Sequence, residues 1–281
     1  MRIEESLIWA TKELKDSCSR PRFEAELLLA YYLKKDRVYL HTHSRDKIED
    51  FRKFKSLIKR RAEFEPYEYI VNRVSFYDIE LYIDMGVLIP RPETEILIDL
   101  VTDIIKREKI TSIAEIGVGS GAISILLARK FPNLKVVATD ISNKAIEVAS
   151  INIERFNLQD RVEVIKSNLL DEVSRDIELV VSNPPYIANG FKLEENIIRY
   201  EPKEALFGGV IGDELLKEIV LDIKRRDIRY LACEMGYDQK ESMEQFFKQN
   251  EIKSYNFYQD LARFDRGFII DFGVKFDKKD I

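Results

Sequence analysis

The spacing of hydrophobic residues differs between the beginning of the chain and the rest of it. In IEESLIWATKEL, FEAELLLAYYL and IEDFRKFKSLIKRRAEF the apolar positions recur every three or four residues, which predicts amphipathic helices. The next segment alternates apolar and polar side chains around Asp78, and a short β-hairpin is expected there. The pattern predicts a small helical domain over residues 1–72 and a linking hairpin over residues 73–88.

From residue 89 onward, short apolar runs alternate with helical stretches. Five runs rich in β-branched residues read as strands: TSIAEI, LKVVAT, VEVIKS, IELVVS and IRYLACEM. Helical spacing is found between them, in AISILLARKF, NKAIEVASINIERF and DELLKEIVLDIKRR. This order predicts an α/β fold with a mostly parallel sheet and helices on both faces. A last pair, SYNFYQD and RGFIIDFGV, is expected to close the sheet edge as a hairpin.

Composition narrows the class of protein without identifying it. The chain has 281 residues, of which 45% are hydrophobic and 34% charged, as in ordinary globular proteins, and its length suits two domains. No run reaches the ~18 apolar residues of a membrane span, and the N-terminus lacks a signal-peptide core. Cys18 and Cys233 form no CxxC pair, and His41 and His43 read as loop residues. We therefore expect no disulfide framework, no metal site and no membrane partner, and a cytoplasmic location.

The charge is distributed unevenly along the chain. Residues 1–72 hold 16 basic and 13 acidic residues, a net charge of +3, and the remainder holds 29 and 37, a net charge of −8. An isoelectric point near 5.4 argues against a surface made for nucleic acid, so no direct nucleic-acid partner is expected. The densest basic stretch, FRKFKSLIKRR at residues 51–61, is either a solvated helix face or a docking site for an acidic partner.

A glycine-rich loop, AEIGVGSGAIS at residues 114–124, follows the first predicted strand of the sheet. Gly117, Gly119 and Gly121 allow a sharp turn and let a ligand approach the backbone, and the next helix would offer its N-terminal amides. Asp140 ends the following strand, nineteen residues after Gly121. An acid there can accept hydrogen bonds from both hydroxyls of a ribose, so the pair predicts a nucleoside cofactor.

The spacing within this loop favours S-adenosylmethionine over a dinucleotide. A dinucleotide fingerprint is Gly-x-Gly-x-x-Gly, whereas here the third glycine comes one residue early. Glu115 precedes the first glycine by two residues, and a carboxylate there would repel a pyrophosphate but suit the ammonium group of an amino-acid moiety. Asn168 comes just after the third predicted strand, where it fits either a hydrogen bond to an adenine edge or the cap of a turn.

The fourth predicted strand runs directly into Asn183-Pro184-Pro185-Tyr186. Proline has a fixed φ and no N–H, so the strand must end there, at the sheet edge where such folds bind ligands. The Asn183 side-chain oxygen and the Pro184 carbonyl could each accept an N–H of a planar amide or base amine and aim its lone pair at a sulfonium methyl. Tyr186 offers a flat ring to stack on the substrate. These residues predict methyl transfer by orientation, without an obligatory protein base.

This tetrapeptide after an acid-x-Gly-x-Gly-x-Gly loop resembles class I S-adenosylmethionine methyltransferases that modify planar nitrogens. They include adenine methyltransferases and the glutamine methyltransferases of peptide chain release factors, the HemK/PrmC family. Three further stretches are similar to the latter: VLIPRPETEILID (residues 87–99), RYEPKEALFGG (199–209) and RRAEFEPYEYI (60–70). The resemblance to the HemK/PrmC family covers most of the chain.

The resemblance implies a Rossmann-like class I methyltransferase domain over residues 89–281, with a mostly parallel seven-stranded sheet, after an N-terminal helical domain that contacts the release factor. It implies S-adenosylmethionine as cofactor, with its methionine end at Glu115, Gly117, Gly119 and Gly121, its ribose at Asp140, and Asn168 and Asn183 beside it. The implied reaction methylates the glutamine of a Gly-Gly-Gln motif in class I release factors, in translation termination.

For the substrate, the resemblance implies that Asn183 and Pro184 hold the glutamine amide, and that Pro185 and Tyr186 pack against it. It also gives Arg91, Pro92 and Glu93 a part in shaping the pocket, although Pro92 followed by acidic residues equally fits a helix start.

The chain departs from the HemK/PrmC pattern at three places. Asn168 stands where relatives more often have an acid, Glu115 replaces the commoner Asp, and Val210-Ile211 is an extra-looking pair before a glycine turn. Two alternatives to the release-factor reading stay open: an adenine methyltransferase acting on DNA or RNA, which would need a basic face that the acidic core does not suggest, and a non-catalytic adaptor that binds a release factor or the ribosome. An NAD-linked oxidoreductase is the weakest candidate because of the glycine spacing.

Overall fold

The computed structural model describes residues 1–273 and divides the chain into two compact units. The first unit comprises residues 1–73 together with 193–200, and the second comprises residues 74–192 together with the chain from residue 201. The hairpin thus groups with the second unit. Residues 274–281, which end both the predicted methyltransferase domain and the predicted strand RGFIIDFGV, lie outside the described residues.

The first unit is helical, which confirms the predicted N-terminal helical domain. Its helices are α1 (Ile3–Glu13), α2 (Pro21–Leu33), α3 (Arg37–Thr42), α4 (Phe51–Ala62), α5 (Tyr67–Val71) and α9 (Glu195–Tyr200). Pro21 occupies the first position of α2, where its missing N–H costs nothing. The apolar faces of α1, α2 and α4 form one core that includes Leu7, Leu28 and Phe54. The hydrophobic pattern did not predict that the short helix α9 belongs to this unit.

The second unit contains the predicted hairpin and the predicted mostly parallel sheet of seven strands. The strands are β1 (Val74–Phe76), β2 (Ile79–Leu81), β3 (Ser112–Ile116), β4 (Lys135–Asp140), β5 (Val162–Lys166), β6 (Leu179–Ser182), β7 (Ile187–Ala188), β8 (Phe207–Gly209), β9 (Tyr230–Glu234), β10 (Tyr255–Gln259) and β11 (Asp265–Asp271). The large sheet has the order β10-β11-β9-β6-β3-β4-β5, while β1–β2 and β7–β8 form separate pairs. β11 runs antiparallel to β9 and β10, and the other pairings of the large sheet are parallel.

Helices cover both faces of this sheet. They are α6 (Thr94–Glu108), α7 (Ala122–Lys130), α8 (Asn143–Arg155), α10 (Glu214–Arg225) and α11 (Lys240–Gln249), with a 3-10 turn at Lys203–Ala205. All residues of the central strands β6 and β9 are buried, as expected for parallel strands covered on both sides. Across residues 1–273, no helix combines the length and apolar character needed to cross a membrane.

The strand order determines which loops meet at the carboxyl edge of the sheet. β6 lies between β3 and β9, with Ser182 level with Ile116 on one side and with Cys233 on the other. The glycine loop after β3, the Asn-Pro-Pro-Tyr segment after β6 and Glu234 at the end of β9 are therefore neighbours. This is the edge at which open α/β sheets bind their ligands.

Candidate active site

A cavity of about 210 Å³ opens at this carboxyl edge. Eight of the residues singled out from the sequence line it: Glu115, Gly117, Gly119, Asp140, Asn168, Asn183, Pro184 and Pro185. Other lining residues come from before the sheet and from the segment after the Asn-Pro-Pro-Tyr loop, among them Pro90, Thr94 and Pro202. Sequence motifs separated by more than a hundred residues, from Pro90 to Pro202, are thus brought to one cleft.

The glycine loop adopts the conformation that makes glycine necessary. Gly117, Gly119 and Gly121 have φ angles of 78°, 51° and 81°, in the left-handed region that residues with a Cβ rarely adopt. The N–H of Gly117 donates to the Thr139 carbonyl (2.8 Å), and the N–H of Gly119 donates to Oδ2 of Asp140 (3.1 Å). Gly121 begins α7 and is not part of the cavity wall. The loop after β3 is thereby fastened to the end of β4.

Glu115 lies at the floor of the cavity and is 1% exposed. Its Oε2 accepts hydrogen bonds from the backbone N–H (3.0 Å) and the hydroxyl of Ser124 on α7. Burial raises the pKa of Glu115 to about 8, an effect that the Ser124 hydrogen bonds oppose and the nearby Asp140 reinforces. A buried carboxyl of this kind gains stability in its ionised form when a cation is placed beside it.

Asp140 is prepared to receive a polar ligand in a similar way. Oδ2 accepts from Gly119, and Oδ1 accepts from the N–H of Ser142 (2.9 Å). Burial raises the pKa of Asp140, while these backbone hydrogen bonds act to lower it. The carboxylate is therefore held in one orientation at the cavity wall, with lone pairs left for further donors.

The Asn-Pro-Pro-Tyr segment crosses the middle of the cleft. Ser182 anchors its start by donating from Oγ to the Ile116 carbonyl (2.8 Å). Asn183 follows, and its Nδ2 donates to the hydroxyl of Thr94 at the start of α6 (2.9 Å). The Asn183 carbonyl lies 4.0 Å from the position that a Cβ on Gly117 would occupy. The glycine loop and the Asn-Pro-Pro-Tyr segment are therefore close neighbours.

Thr94, which lines the cavity, and Glu234, which is hydrogen-bonded to it, were not singled out from the sequence. Glu234, 1% exposed, accepts hydrogen bonds from the Thr94 hydroxyl (2.7 Å) and the Tyr186 hydroxyl (3.1 Å). Tyr186 is thus turned toward Glu234 and is not part of the cavity wall. A signal for Glu234 existed, since an acid ends the predicted strand IRYLACEM at the sheet edge where Asp140 and Asn183 also stand.

The back of the Asn-Pro-Pro-Tyr segment packs against glycines of the later segment FGGVIGDE. A Cβ at Gly208 would lie 2.4 Å from the Pro185 carbonyl, and one at Gly212 would lie 2.6 Å from the Tyr186 carbonyl. The strand pair β7–β8 joins the two segments, with Ile187 N–H donating to the Leu206 carbonyl (3.0 Å). The similar stretch noted at residues 199–209 therefore supports the backbone of the loop.

The Val210-Ile211 pair forms an exposed turn next to this support. The two side chains are 75% and 68% exposed. Glu214 caps the turn by accepting from the N–H groups of Ile211 (2.8 Å) and Gly212 (2.7 Å). The departure from the family pattern thus lies at the surface, outside the cavity wall.

Arg91, Pro92 and Glu93 form a turn that leads into α6. Arg91 donates to Glu201 (2.5 Å), a carboxylate that is 4% exposed and also accepts from the Ile89 N–H (3.3 Å). The cavity wall contains their neighbours Pro90 and Thr94 instead of these three residues. The helix begins at Thr94, with Glu93 as its N-cap residue, so Pro92 precedes the helix and is not in its first turn.

The residues present suit S-adenosylmethionine. The cleft has room beside the glycine loop, a buried carboxyl that suits an ammonium group, and a fixed carboxylate that suits ribose hydroxyls. Asn168 lines the same cavity through a loop that follows β5. Asn183 lines this cavity too and is hydrogen-bonded to Thr94.

Comparison with known proteins identifies the family to which this chain is similar. Residues 5–71 match the PrmC N-terminal domain, and residues 93–206 match the methyltransferase small domain. A release factor glutamine methyltransferase of Dictyoglomus turgidum is 40% identical over 235 residues, covering 82% of this chain and 83% of that protein. One of Clostridium acetobutylicum is 33% identical over 276 residues, covering 95% and 97%.

Solved structures share the fold at lower identity. The catalytic domain of human METTL16, in a complex with an RNA hairpin from the MAT2A 3′UTR, has a TM-score of 0.56 at 20% identity and covers 70% of this chain and 77% of that one. The N-terminal domain of human METTL16 in complex with SAH has a TM-score of 0.52 at 20% identity and covers 67% and 74%. These likenesses establish the class I methyltransferase fold of the second unit.

Proposed function

The chain belongs to the release factor glutamine methyltransferase family and is an S-adenosylmethionine-dependent methyltransferase, and on that premise we propose its substrate. We propose that it methylates the side-chain amide nitrogen of the glutamine in the Gly-Gly-Gln motif of peptide chain release factors, in translation termination. The observation that carries the proposal is the Asn183 side chain at the cavity wall, whose Nδ2 is engaged by Thr94 and whose oxygen is left for a substrate amide.

An amide nitrogen is a poor nucleophile because its lone pair is delocalised into the carbonyl group. Two acceptors on the protein, the Asn183 oxygen and the Pro184 carbonyl, would each bind one N–H of the substrate amide and turn its lone pair toward the cofactor. The same acceptors stabilise the positive charge that develops on nitrogen as it reacts. Pro185 has no N–H and a fixed φ, so the preceding carbonyl is held in place.

S-adenosylmethionine, when bound, supplies an activated methyl group: the N–C bond forms as the S–C bond breaks, the sulfonium becomes the thioether of S-adenosylhomocysteine, and the nitrogen releases one proton to water. In this proposal Glu115, with Gly117, Gly119 and Gly121, binds the methionine end, and Asp140 binds the ribose hydroxyls. Asn168 is proposed to reach the adenine. Arg91, Pro92 and Glu93 act by fixing the start of α6, and Tyr186 acts behind the cavity wall through its hydrogen bond to Glu234.

The release factor is proposed to contact the N-terminal helical domain. The basic helix α4 presents cationic side chains to solvent, such as Arg52 at 95% and Lys59 at 77% side-chain exposure. These suit an acidic face of a protein partner. The second unit is acidic overall, which favours a protein substrate over nucleic acid. We propose that the reaction takes place in the cytoplasm, where release factors act.

The deciding experiment offers radiolabelled S-adenosylmethionine with purified class I release factors and, in parallel, with duplex DNA and structured RNA. We expect label on the release factor, and loss of that label when the glutamine of its Gly-Gly-Gln motif is replaced by alanine. Label on nucleic acid alone would overturn the substrate assignment in favour of an adenine methyltransferase. Cofactor binding without label on any of the three would favour the adaptor alternative.

A further inference from the structure

A chain of hydrogen bonds runs from a buried carboxylate to the amide of Asn183. The two oxygens of Glu234 accept from the hydroxyls of Tyr186 (3.1 Å) and Thr94 (2.7 Å). The Thr94 oxygen in turn accepts from Nδ2 of Asn183 (2.9 Å). Thr94 and Glu234 are 5% and 1% exposed, so water does not compete for these bonds.

The direction of every bond in this chain follows from the chemistry of its groups. An ionised carboxylate has no hydrogen to donate, whereas each hydroxyl has one. Both hydroxyls must therefore point their hydrogens at Glu234, and the Thr94 oxygen can then only accept. Since Asn183 can donate only through its NH₂ group, its Nδ2 must face Thr94. Its Oδ1 must then face away, and none of residues 1–273 donates a hydrogen bond to that oxygen.

We propose that Thr94 and Glu234 are positioning residues that hold the Asn183 amide in one of its two flip states, with the oxygen toward the methyl acceptor. This inference rests on the proposed function. A primary amide offers two N–H donors, so it needs acceptors opposite both of them. With the Asn183 amide reversed, its NH₂ group would meet the N–H of the substrate and exclude it from the reactive orientation.

The groups around Glu234 determine the pH range in which it is ionised and can hold the Thr94 hydroxyl as a donor. The pKa of Glu234 is raised to about 7: burial is the main cause and Glu93 at the start of α6 adds to it, whereas the Thr94 and Tyr186 hydrogen bonds and Arg266 on β11 act to lower it. Buried Tyr258 on β10 also faces Glu234. Once protonated, Glu234 can donate a hydrogen to Thr94. The Thr94 hydroxyl is then released to donate toward Asn183, and the reversed amide is no longer excluded.

Four variants separate positioning from folding. Thr94→Val removes the hydroxyl at nearly constant volume, Thr94→Ser keeps it, and Glu234→Gln puts a permanent donor where the carboxylate stands. Thr102→Val is the matched control, because Thr102 is on the same helix, is 2% exposed, and among residues 1–273 its hydroxyl is hydrogen-bonded only to Lys130 (3.4 Å). The measured quantities are kcat and KM for the release factor, and Kd for S-adenosylmethionine.

For Thr94→Val and for Glu234→Gln we expect kcat to fall about tenfold or more, while Kd for S-adenosylmethionine stays within about threefold of wild type. Thr94→Ser should recover most of kcat, and Thr102→Val should match wild type. The wild-type kcat should fall below about pH 7, and Glu234→Gln should lack that acid limb. Wild-type kcat in Thr94→Val, or no recovery in Thr94→Ser, would overturn the proposal.

A second measurement does not depend on the substrate and so distinguishes this proposal from the proposed function. In protein labelled with ¹⁵N-asparagine, the Asn183 side-chain NH₂ signal should move with a midpoint near pH 7. The same signal should be insensitive to pH in Glu234→Gln, and its protons should exchange faster with solvent in Thr94→Val. An Asn183 signal that is identical in wild type and both variants would overturn the positioning role, even if release factors are methylated.

Discussion

The N–H of Gly119 donates a hydrogen bond of 3.1 Å to Oδ2 of Asp140, which joins the glycine loop to the neighbouring strand end through a carboxylate. The glycine loop and the end of β4, which together form the proposed nucleoside site, are therefore joined by the Asp140 carboxylate. Asp140 both orients the loop and, in the proposed function, binds the ribose. Replacing it should therefore weaken cofactor binding in two ways: by removing the ribose acceptor and by loosening the glycine loop.

Replacing Asp140 by alanine should weaken S-adenosylmethionine binding as its primary defect. The loss of a charged acceptor for two hydroxyls, together with its bond to Gly119, should raise Kd by about tenfold or more. Isothermal titration calorimetry measures this directly. At saturating cofactor, kcat should recover toward the wild-type value, and a low kcat with an unchanged Kd would contradict the assignment.

Asn183→Ala should show the reverse pattern. Removal of the amide leaves the cofactor cradle intact but takes away an acceptor at the reacting nitrogen, which typically costs about 10²–10³-fold in kcat. We expect Kd for S-adenosylmethionine to change by less than about threefold. Asn183→Asp keeps the shape but has no NH₂ for Thr94, and it should also be impaired. An equal loss of cofactor affinity in Asn183→Ala would place this residue in the cofactor site alone.

The stability of the protein should fall as the pH rises from about 5 to 8 because of its buried carboxyls. Burial raises the pKa of Glu115 to about 8 and of Glu234 to about 7, from 4.5. In this range the folded protein binds more protons than the unfolded chain, so the free energy of unfolding decreases with pH. Each group contributes at most about 1.4 kcal/mol per pH unit.

Glu115→Gln isolates one of these contributions. Denaturant unfolding at several pH values between 5 and 8 should give a shallower decline for this variant than for wild type, because glutamine does not titrate. The difference between the two curves should level off below about pH 4.5 and grow up to about pH 8. Parallel curves across this range would contradict an elevated pKa at Glu115.

Gly208→Ala should displace the backbone of the Asn-Pro-Pro-Tyr segment, against which Gly208 packs. The new Cβ would lie 2.4 Å from the Pro185 carbonyl and 2.5 Å from the Gly212 carbonyl, so backbone must move, and kcat should fall several-fold or more since small displacements of catalytic groups are costly. Gly190→Ala is the control, because nothing lies within 4 Å of the added Cβ; its φ of 87°, unlike the φ of Gly208, already disfavours a Cβ, so this variant carries backbone strain without a clash. Equal effects of the two variants on kcat would contradict a supporting role for Gly208.

Much of this architecture follows from local pattern. The strands of the large sheet and the helices that cover them differ clearly in hydrophobic periodicity, and Gly117, Asp140 and Asn183 stand at or just after strand ends, where a parallel sheet gathers its functional residues. The sheet order puts their loops side by side, as the fold class requires. These three cavity-lining residues were therefore predictable from strand-end position and chemistry together.

The residues that escaped prediction act through contacts that no local pattern encodes. In the sequence Thr94 has only the pattern of a residue at the start of an amphipathic helix. Its hydroxyl can accept a hydrogen bond from Asn183 only in the folded protein, where α6 lies beside that residue. Glu234 reads as the end of a buried strand, and its partner Thr94 is 140 positions away. The short helix α9 is too brief to give a periodic signal, and its place with the N-terminal helices is set by tertiary packing.

The residues of the site are synthesised in a definite order along the chain. The cofactor loop and the Asn-Pro-Pro-Tyr segment are both synthesised well before Glu234, and β9 gains its second neighbour only when the last described strand, β11, inserts between β9 and β10. The residues proposed to hold the cofactor therefore leave the ribosome before the carboxylate that is proposed to orient Asn183. The orientation of Asn183 thus depends on one of the last parts of the sheet to be synthesised.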